Sequence, residues 1–383
     1  MDWSVPLADL DYGLEEEEAV LKVLRSRWLT MGAITQEFEA QFSRLIGSKY
    51  AIAVSNATEA LHLACLALGI GPGDEVITPS LSFVATSNAV LYTGAEVRFA
   101  DVIGPDELTI DPEDISRQVT PRTKAIIVMH YGGYPCRMRE ILAVAERFGL
   151  PVIEDAAHAP GASLNGKVIG TWGTISCFSF FSNKNLSTGE GGMLVTERAD
   201  LAEKVRLMRS HGMTSLTYDR HHGHAHSYDV IDLGYNYRID EIHSALGLEQ
   251  LKKLAANNAH RKDWTERYWR ALVDTGVGLP FRGNAESPSY HIFPMLLPPS
   301  INRKVFMDAL REKGIQTSIH YPPTHHFTYY RSRYGEISLP ITEDISEREV
   351  TLPLYPNMGS ERVDLVADSV IRIIKSIHDI KVG

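Results

Sequence analysis

A chain of 383 residues is too long for one small core and suits two units that share a face. Its 44% hydrophobic and 22% charged residues are ordinary for a globular protein. A net charge of −10 argues against nucleic acid and anionic membranes as partners. Cys65, Cys136 and Cys177 lie far apart without CxxC spacing, which fits free thiols in a reducing compartment rather than a disulfide framework or a zinc site. The opening Met-Asp-Trp-Ser lacks the basic-then-apolar pattern of a signal peptide, and no apolar run is long enough to span a bilayer, so a cytoplasmic protein is expected.

Residues 1–13 read as irregular. A helix is expected over 15–27, with Ala19, Val20, Val23 and Leu24 on one stripe and an acidic first turn opposing the helix dipole. Residues 28–32, W-L-T-M-G, form a loop, and 37–46 a second helix. A repeated α/β pattern then begins. Seven strands are expected, at 51–54, 75–79, 97–100, 125–130, 151–154, 175–181 and 193–196, with helices at 57–68, 82–91, 112–118 and 137–148 between them. The run 125–130 carries almost no polar residue, as a strand buried on both faces should. Strands alternating with helices imply an α/β fold with a largely parallel sheet, whose ligands sit at the carboxyl ends of the strands.

Beyond a helix at 201–210 come four histidines, at 221, 222, 224 and 226. They lack an acidic or cysteine partner at fixed spacing, so a solvated loop is preferred to a metal site and no metal is expected. Helices at 240–255 and 257–275 follow, then strands at 290–297 and 316–320 and helices at 303–313 and 362–378. The expected organisation is a large unit over 1–255 and a smaller α+β unit over 256–383.

Several strand ends carry chemistry. The loop between strands 175–181 and 193–196 holds Lys184, although lysines prefer water. Strand 151–154 runs into Asp155, which either faces the ligand crevice or caps the following turn. Ser55-Asn56-Ala57-Thr58 opens a helix, offering free N–H groups and a hydroxyl to an anion, or else a plain capping box with Glu59. Phe83 either stacks on a flat ring or joins the core, and Ser179 offers a second phosphate contact. A lysine amine, an acid, a phosphate cradle and a stacking aromatic together are what pyridoxal phosphate requires. The lysine holds its aldehyde as a Schiff base, the acid keeps its ring nitrogen protonated, and the helix terminus anchors its phosphate.

The motifs extend over nearly the whole chain: S-N-A-T-E-A-L-H-L-A at 55–64, G-P-G-D-E-V-I-T-P-S-L-S-F-V-A-T at 71–86, V-I-E-D-A-A-H-A at 152–159 and F-S-F-F-S-N-K-N-L-S-T-G-E-G-G-M at 178–193. G-Y-N-Y-R-I-D-E-I at 234–242, I-H-Y-P-P at 319–323 and L-P-L-Y-P-N-M at 352–358 continue the series. In this order the chain resembles the DegT/StrS family of pyridoxal-phosphate nucleotide-sugar aminotransferases, which have the aspartate-aminotransferase fold (fold type I). The resemblance implies that Lys184 is the Schiff-base lysine and proton shuttle, Asp155 the partner of the pyridine nitrogen, and Phe83 the stacking ring. It gives the phosphate to Ala57, Thr58 and Ser179, places His158 near the ring hydroxyl, and implies that Asn236 reaches a partner subunit's phosphate in a homodimer with shared sites.

The expected reaction is ping-pong transfer of an amino group from L-glutamate to a keto sugar linked to a nucleotide. The stretches around 320–331 and L-P-L-Y-P are similar to enzymes that make UDP-4-amino-4-deoxy-L-arabinose, which tilts the expectation toward C4 over C3. Trp28, Thr30, His320 and His325 are the expected substrate contacts, with core packing or capping as the alternative for each. Some relatives carry histidine in place of the lysine and are dehydratases; retention of Lys184 favours transamination. Sugar dehydration, amination of an inosose or antibiotic precursor, and a non-enzymatic cofactor-binding regulator are the other readings. The acidic charge counts against the last.

Overall fold

The computed structural model describes residues 3–214, 228–283 and 286–382. The histidines at 221–226 lie outside these residues. Helices α1 (Leu14–Ser26) and α2 (Ala33–Ile46) precede β1 (Tyr50–Val54) and α3 (Ala57–Ala67). Then come β2 (Glu75–Pro79), α4 (Ala85–Leu91), β3 (Glu96–Ala100) and a small hairpin, β4 (Val102–Gly104) with β5 (Glu107–Ile110). The chain continues through α5 (Pro112–Gln118), β6 (Thr123–Met129), α6 (Met138–Phe148) and β7 (Val152–Asp155). A second hairpin, β8 (Ser163–Leu164) with β9 (Lys167–Val168), leads to β10 (Ile175–Ser179), β11 (Gly192–Thr196) and α7 (Ala199–Arg209). The remainder holds α8 (Glu241–Leu272), β12 (Phe293–Leu296), α9 (Arg303–Glu312), α10 (Thr328–Tyr334), α11 (Pro340–Arg348), β13 (Glu349–Leu352) and α12 (Ser360–Val382).

The seven expected strands form one sheet in the order β1-β11-β10-β7-β6-β2-β3. Its pairs are parallel except those of β11, which runs antiparallel to both β1 and β10. The loop joining β10 to β11 contains no helix to carry the chain back across the sheet, so β11 returns in the opposite sense. Both faces are buried, and the alternation along each strand shows it. In β6, Ala125 and Ile127 pack toward α3, α4 and α7, while Ile126 and Val128 pack toward α2, α5 and α6. Phe38, Phe42, Phe178 and Phe180 pack together beneath the second face, with ring centroids 5.0 to 6.3 Å apart.

Three expectations need correction. The two helices expected at 240–255 and 257–275 are one, α8, so the expected division at 255/256 falls inside a continuous helix. No proline interrupts it, its one glycine, Gly247, is buried against Phe38, and Asn257, near the expected break, is buried in its middle. The stretch 316–320 is not a strand. It makes only an isolated bridge, Ser318 to Thr351, beside another from Ile315 to Val5. The partner of β12 is β13, whose Val350 and Leu352 are buried with Phe293 and Met295. That pair, α9, α12 and the end of α8 build the second core. The helix expected from 82 begins at Ala85, which leaves 80–84 as a loop at the sheet edge. All three cysteines are buried and free, as expected. Among the described residues no helix is long and apolar enough to cross a membrane.

Candidate active site

The carboxyl ends of β1, β2, β6, β7 and β10 lie along one edge of the sheet, and the amino end of β11 joins them. A cavity of about 690 Å³ opens there. Ala57, Thr58, Phe83, Asp155, His158, Ser179, Lys184 and His320 all line it, so eight of the expected residues come together. Four do not line it. Thr30 is exposed and bridges Asp240 at the start of α8, and Trp28 lies half-buried on the same loop. Asn236 is exposed beside Tyr237, which does line the cavity. His325 is buried, its Nδ1 2.6 Å from Ser80 Oγ and its Nε2 3.4 Å from Glu343 Oε1.

Asp155 ends β7, and its side chain is held there: Thr86 Oγ1 donates to Oδ2 (2.7 Å) and Ala157 N–H to Oδ1 (3.2 Å). Burial pushes its pKa up, and these hydrogen bonds and the Lys184 cation oppose that. The Lys184 amine is desolvated, which brings its pKa down to about 7 against the pull of Asp155. A neutral amine at physiological pH is a nucleophile, whereas an ordinary lysine is an ammonium.

His158 Nδ1 accepts the Gly132 N–H (3.2 Å), so in the neutral ring Nε2 bears the proton and points at Tyr321 Oη, 3.0 Å away. Burial, then the Lys184 and His320 charges, hold its pKa well below the usual histidine range. Phe83 is 56% exposed at the cavity wall, facing Tyr321 at a ring separation of 6.0 Å. Its open face settles the choice between core and cavity in favour of the cavity.

The start of α3 is shaped for an anion. Asn56 Oδ1 accepts the Glu59 N–H (2.9 Å), leaving the N–H groups of Ala57 and Thr58 without a partner inside the helix. Gly192 packs against this turn so closely that a Cβ there would lie 2.5 Å from the Asn56 carbonyl carbon. Asn183 Oδ1, on the cavity lining, is buried with no protein partner among the described residues. An open aromatic face, an acid at one end, free N–H groups at the other and a low-pKa lysine fit pyridoxal phosphate in size and donor set.

Sequence reasoning missed Thr86, which fixes Asp155, and Tyr321, which fixes His158. Both lie inside quoted motifs, but neither motif says which side chain they meet. It also missed His291, whose Nε2 lies 3.5 Å from Lys184 Nζ, and which no local pattern marks.

This constellation on this sheet defines a fold-type-I pyridoxal-phosphate transferase scaffold. The sequence pattern of the DegT/DnrJ/EryC1/StrS aminotransferase family matches residues 11–371, and the chain belongs to that family. Among solved structures it is similar to PseC of Helicobacter pylori, an aminotransferase involved in the biosynthesis of pseudoaminic acid. The two are 31% identical with a TM-score of 0.90, over 98% of this chain and 100% of that one. DesV of S. venezuelae, seen with a ketimine intermediate, is 32% identical with a TM-score of 0.89, over 97% and 98% of the two chains. DesI, crystallised in the presence of its TDP-sugar product, is 29% identical with a TM-score of 0.89, over 100% and 96%.

Proposed function

We propose that this protein is a pyridoxal-phosphate-dependent aminotransferase that moves an amino group from L-glutamate to the keto group of a nucleotide-linked keto-deoxysugar, at C4 in preference to C3. The observation that carries this reading is the Lys184 amine, desolvated to a pKa of about 7 and sharing one cavity with Asp155. Membership of an aminotransferase family and similarity to a protein crystallised with its TDP-sugar product support the substrate class.

Bound in this cavity, the cofactor would supply an electron sink to the reacting carbon. The rest falls to the chain. Lys184 Nζ would hold the aldehyde and, when free, would carry the proton to and from the reacting carbon. Asp155 holds a proton on the ring nitrogen, oriented by Thr86. Phe83 covers one ring face. Ala57 and Thr58 N–H groups, the Thr58 hydroxyl and Ser179 take the phosphate, joined by Asn236 of a second subunit in a cytoplasmic homodimer. His158 takes a place beside the ring hydroxyl, with its Nε2 proton already held toward Tyr321. Donor and acceptor occupy the same cavity in turn. His320 lines that cavity and is the leading substrate contact. Trp28, Thr30 and His325 remain further candidates.

The test is the absorption spectrum of the purified protein before and after L-glutamate, beside Lys184→Ala. The expected result is a yellow lysine-bound cofactor band that glutamate bleaches and that the variant lacks. A protein that takes up no cofactor overturns the reading; a bound cofactor indifferent to glutamate overturns the donor. A panel of 3-keto and 4-keto nucleotide sugars then decides the acceptor carbon.

A further inference from the structure

Behind Lys184 runs a hydrogen-bond chain whose direction is fixed at every link. Asn258 Nδ2 donates to the Pro160 carbonyl (3.0 Å), which orients that amide and leaves its Oδ1 as an acceptor. Asn185 Nδ2 donates to Asn258 Oδ1 (2.8 Å) and to the Ser289 carbonyl (2.6 Å). Asn185 Oδ1 is therefore the atom that meets His291 Nδ1, 2.9 Å away, and it can only accept. The imidazole proton must sit on Nδ1. Nε2 then carries a lone pair, aimed at Lys184 Nζ at 3.5 Å. That separation is the outer limit of a hydrogen bond, as is common for catalytic contacts before a site is loaded. Asn185 and His291 are each only 4% exposed, so both sit largely out of bulk solvent.

We propose that His291 is a positioning residue for the Lys184 amine, a fixed acceptor that holds it in one place whenever it is free of the cofactor. The inference rests on the reading of Lys184 as the cofactor-bearing lysine. An acceptor is needed there because the released amine must wait beside the reacting carbon without swinging into the substrate space. The tautomer matters because an Nε2–H would oppose the protons of the ammonium, whereas the Nε2 lone pair accepts from ammonium and amine alike. The other groups facing the amine are Asp155, whose carboxylate favours the ammonium form, and His158 and His320, which are held neutral by burial. Around His291 lie His158, with ring centroids 4.3 Å apart, and Arg261, which donates to the His291 carbonyl (3.1 Å). Burial, and after it the Lys184 and Arg261 charges, keep the imidazole unprotonated, so the shared proton belongs to the lysine.

The consequence is measurable without the cofactor. A lone-pair acceptor stabilises the ammonium more than the amine, so its removal lowers the pH at which Lys184 gives up its proton. The midpoint would be read on the full cofactor-free chain by trace acetylation across pH, followed by peptide mass spectrometry at Lys184. His291→Leu is expected to lower the midpoint from about 7 by about one pH unit, the worth of one hydrogen bond to a charged group. His291→Gln, which puts an amide oxygen near the Nε2 position, is expected to restore most of it. Asn185→Ala, which frees the tautomer without touching the imidazole, is expected to fall between the two and serves where His291→Leu does not fold. A midpoint unmoved in His291→Leu and Asn185→Ala, or lowered equally by Leu and Gln, overturns the proposal. Uptake of pyridoxal phosphate by the wild type is scored separately. Its failure removes the functional reading, while the acetylation midpoints still decide the docking role.

Discussion

Lys184 and Asp155 make opposite demands on one cavity. Desolvation favours neutral forms of both, and each pulls the other toward its charged form. A cationic cofactor ring held by Asp155 would resolve the conflict, since the acid would then face a proton it can hold. Asp155→Asn keeps the shape and loses that charge, so turnover is expected to fall by about 10²–10³-fold while the yellow band of the lysine-bound cofactor persists. The pair of measurements separates loss of chemistry from loss of binding. Because the lysine must be neutral to capture the aldehyde, the capture rate should rise about tenfold per pH unit below about 7 and level off above it; stopped-flow mixing of cofactor-free protein checks this. Glu349 gives a second pH signature. Its carboxyl, buried against the His320 N–H (2.7 Å) and Thr351 Oγ1 (2.5 Å), has a pKa pushed up to about 8 by desolvation. A folded pKa above the unfolded one means stability present at low pH and lost as pH rises toward 8. Glu349→Gln imitates the protonated form, so its Tm should pull ahead of wild type between about pH 5 and 8 by a few degrees and stay level beyond. A constant Tm difference across that range would refute the assignment.

The contact between α3 and β11 explains why the cradle is where it is. Gly192 opens β11 directly against the first turn of α3, and a methyl group there would meet the Asn56 carbonyl and the Ala57 nitrogen at 2.5 to 2.8 Å. Gly192→Ala is expected to cost about 1–3 kcal/mol of stability and to weaken uptake of the cofactor more than that of its phosphate-free analogue, because the turn that must shift is the one offering Ala57 and Thr58. Equal weakening of both ligands would show that the damage is general. The sheet, this turn, Asp155 and Lys184 were legible in the sequence because each is written locally: alternation that fills both faces, a helix opening after a strand, an acid or a lysine at a strand end. What was not legible depends on distance. The Asn185–His291 bond closes 106 positions and the Tyr321–His158 bond 163, and no spacing rule reaches so far. The continuity of α8 was hidden for a related reason. Ala256-Asn257-Asn258 looks like a break, yet Asn258 is held by Pro160 and Asn185 from the large sheet's loops, so tertiary partners repay its poor helix propensity.

At the scale of the whole molecule, one chain brings most of a site together but leaves Asn236 on its surface beside the cavity-lining Tyr237. A homodimer with shared sites, proposed above, gives that placement a use and makes a sharp prediction. Lys184→Ala removes the amine of a site, and Asn236→Asp sets a carboxylate against the phosphate, so each homodimeric variant should have little activity. A heterodimer of the two, isolated with two different affinity tags, has one site built from the intact Lys184 of one chain and the intact Asn236 of the other. Its second site carries both defects. If the residues of one site come from two subunits, this heterodimer should recover about half of the wild-type activity, because one of two symmetric sites is whole. If Asn236 serves its own chain's lysine, every site in the heterodimer has one defect and activity stays at about half that of the Asn236→Asp homodimer, since only one of its two sites keeps the lysine. The two arrangements predict values well apart, and the comparison needs no knowledge of the natural sugar, since the rate of cofactor bleaching by glutamate is enough to read it.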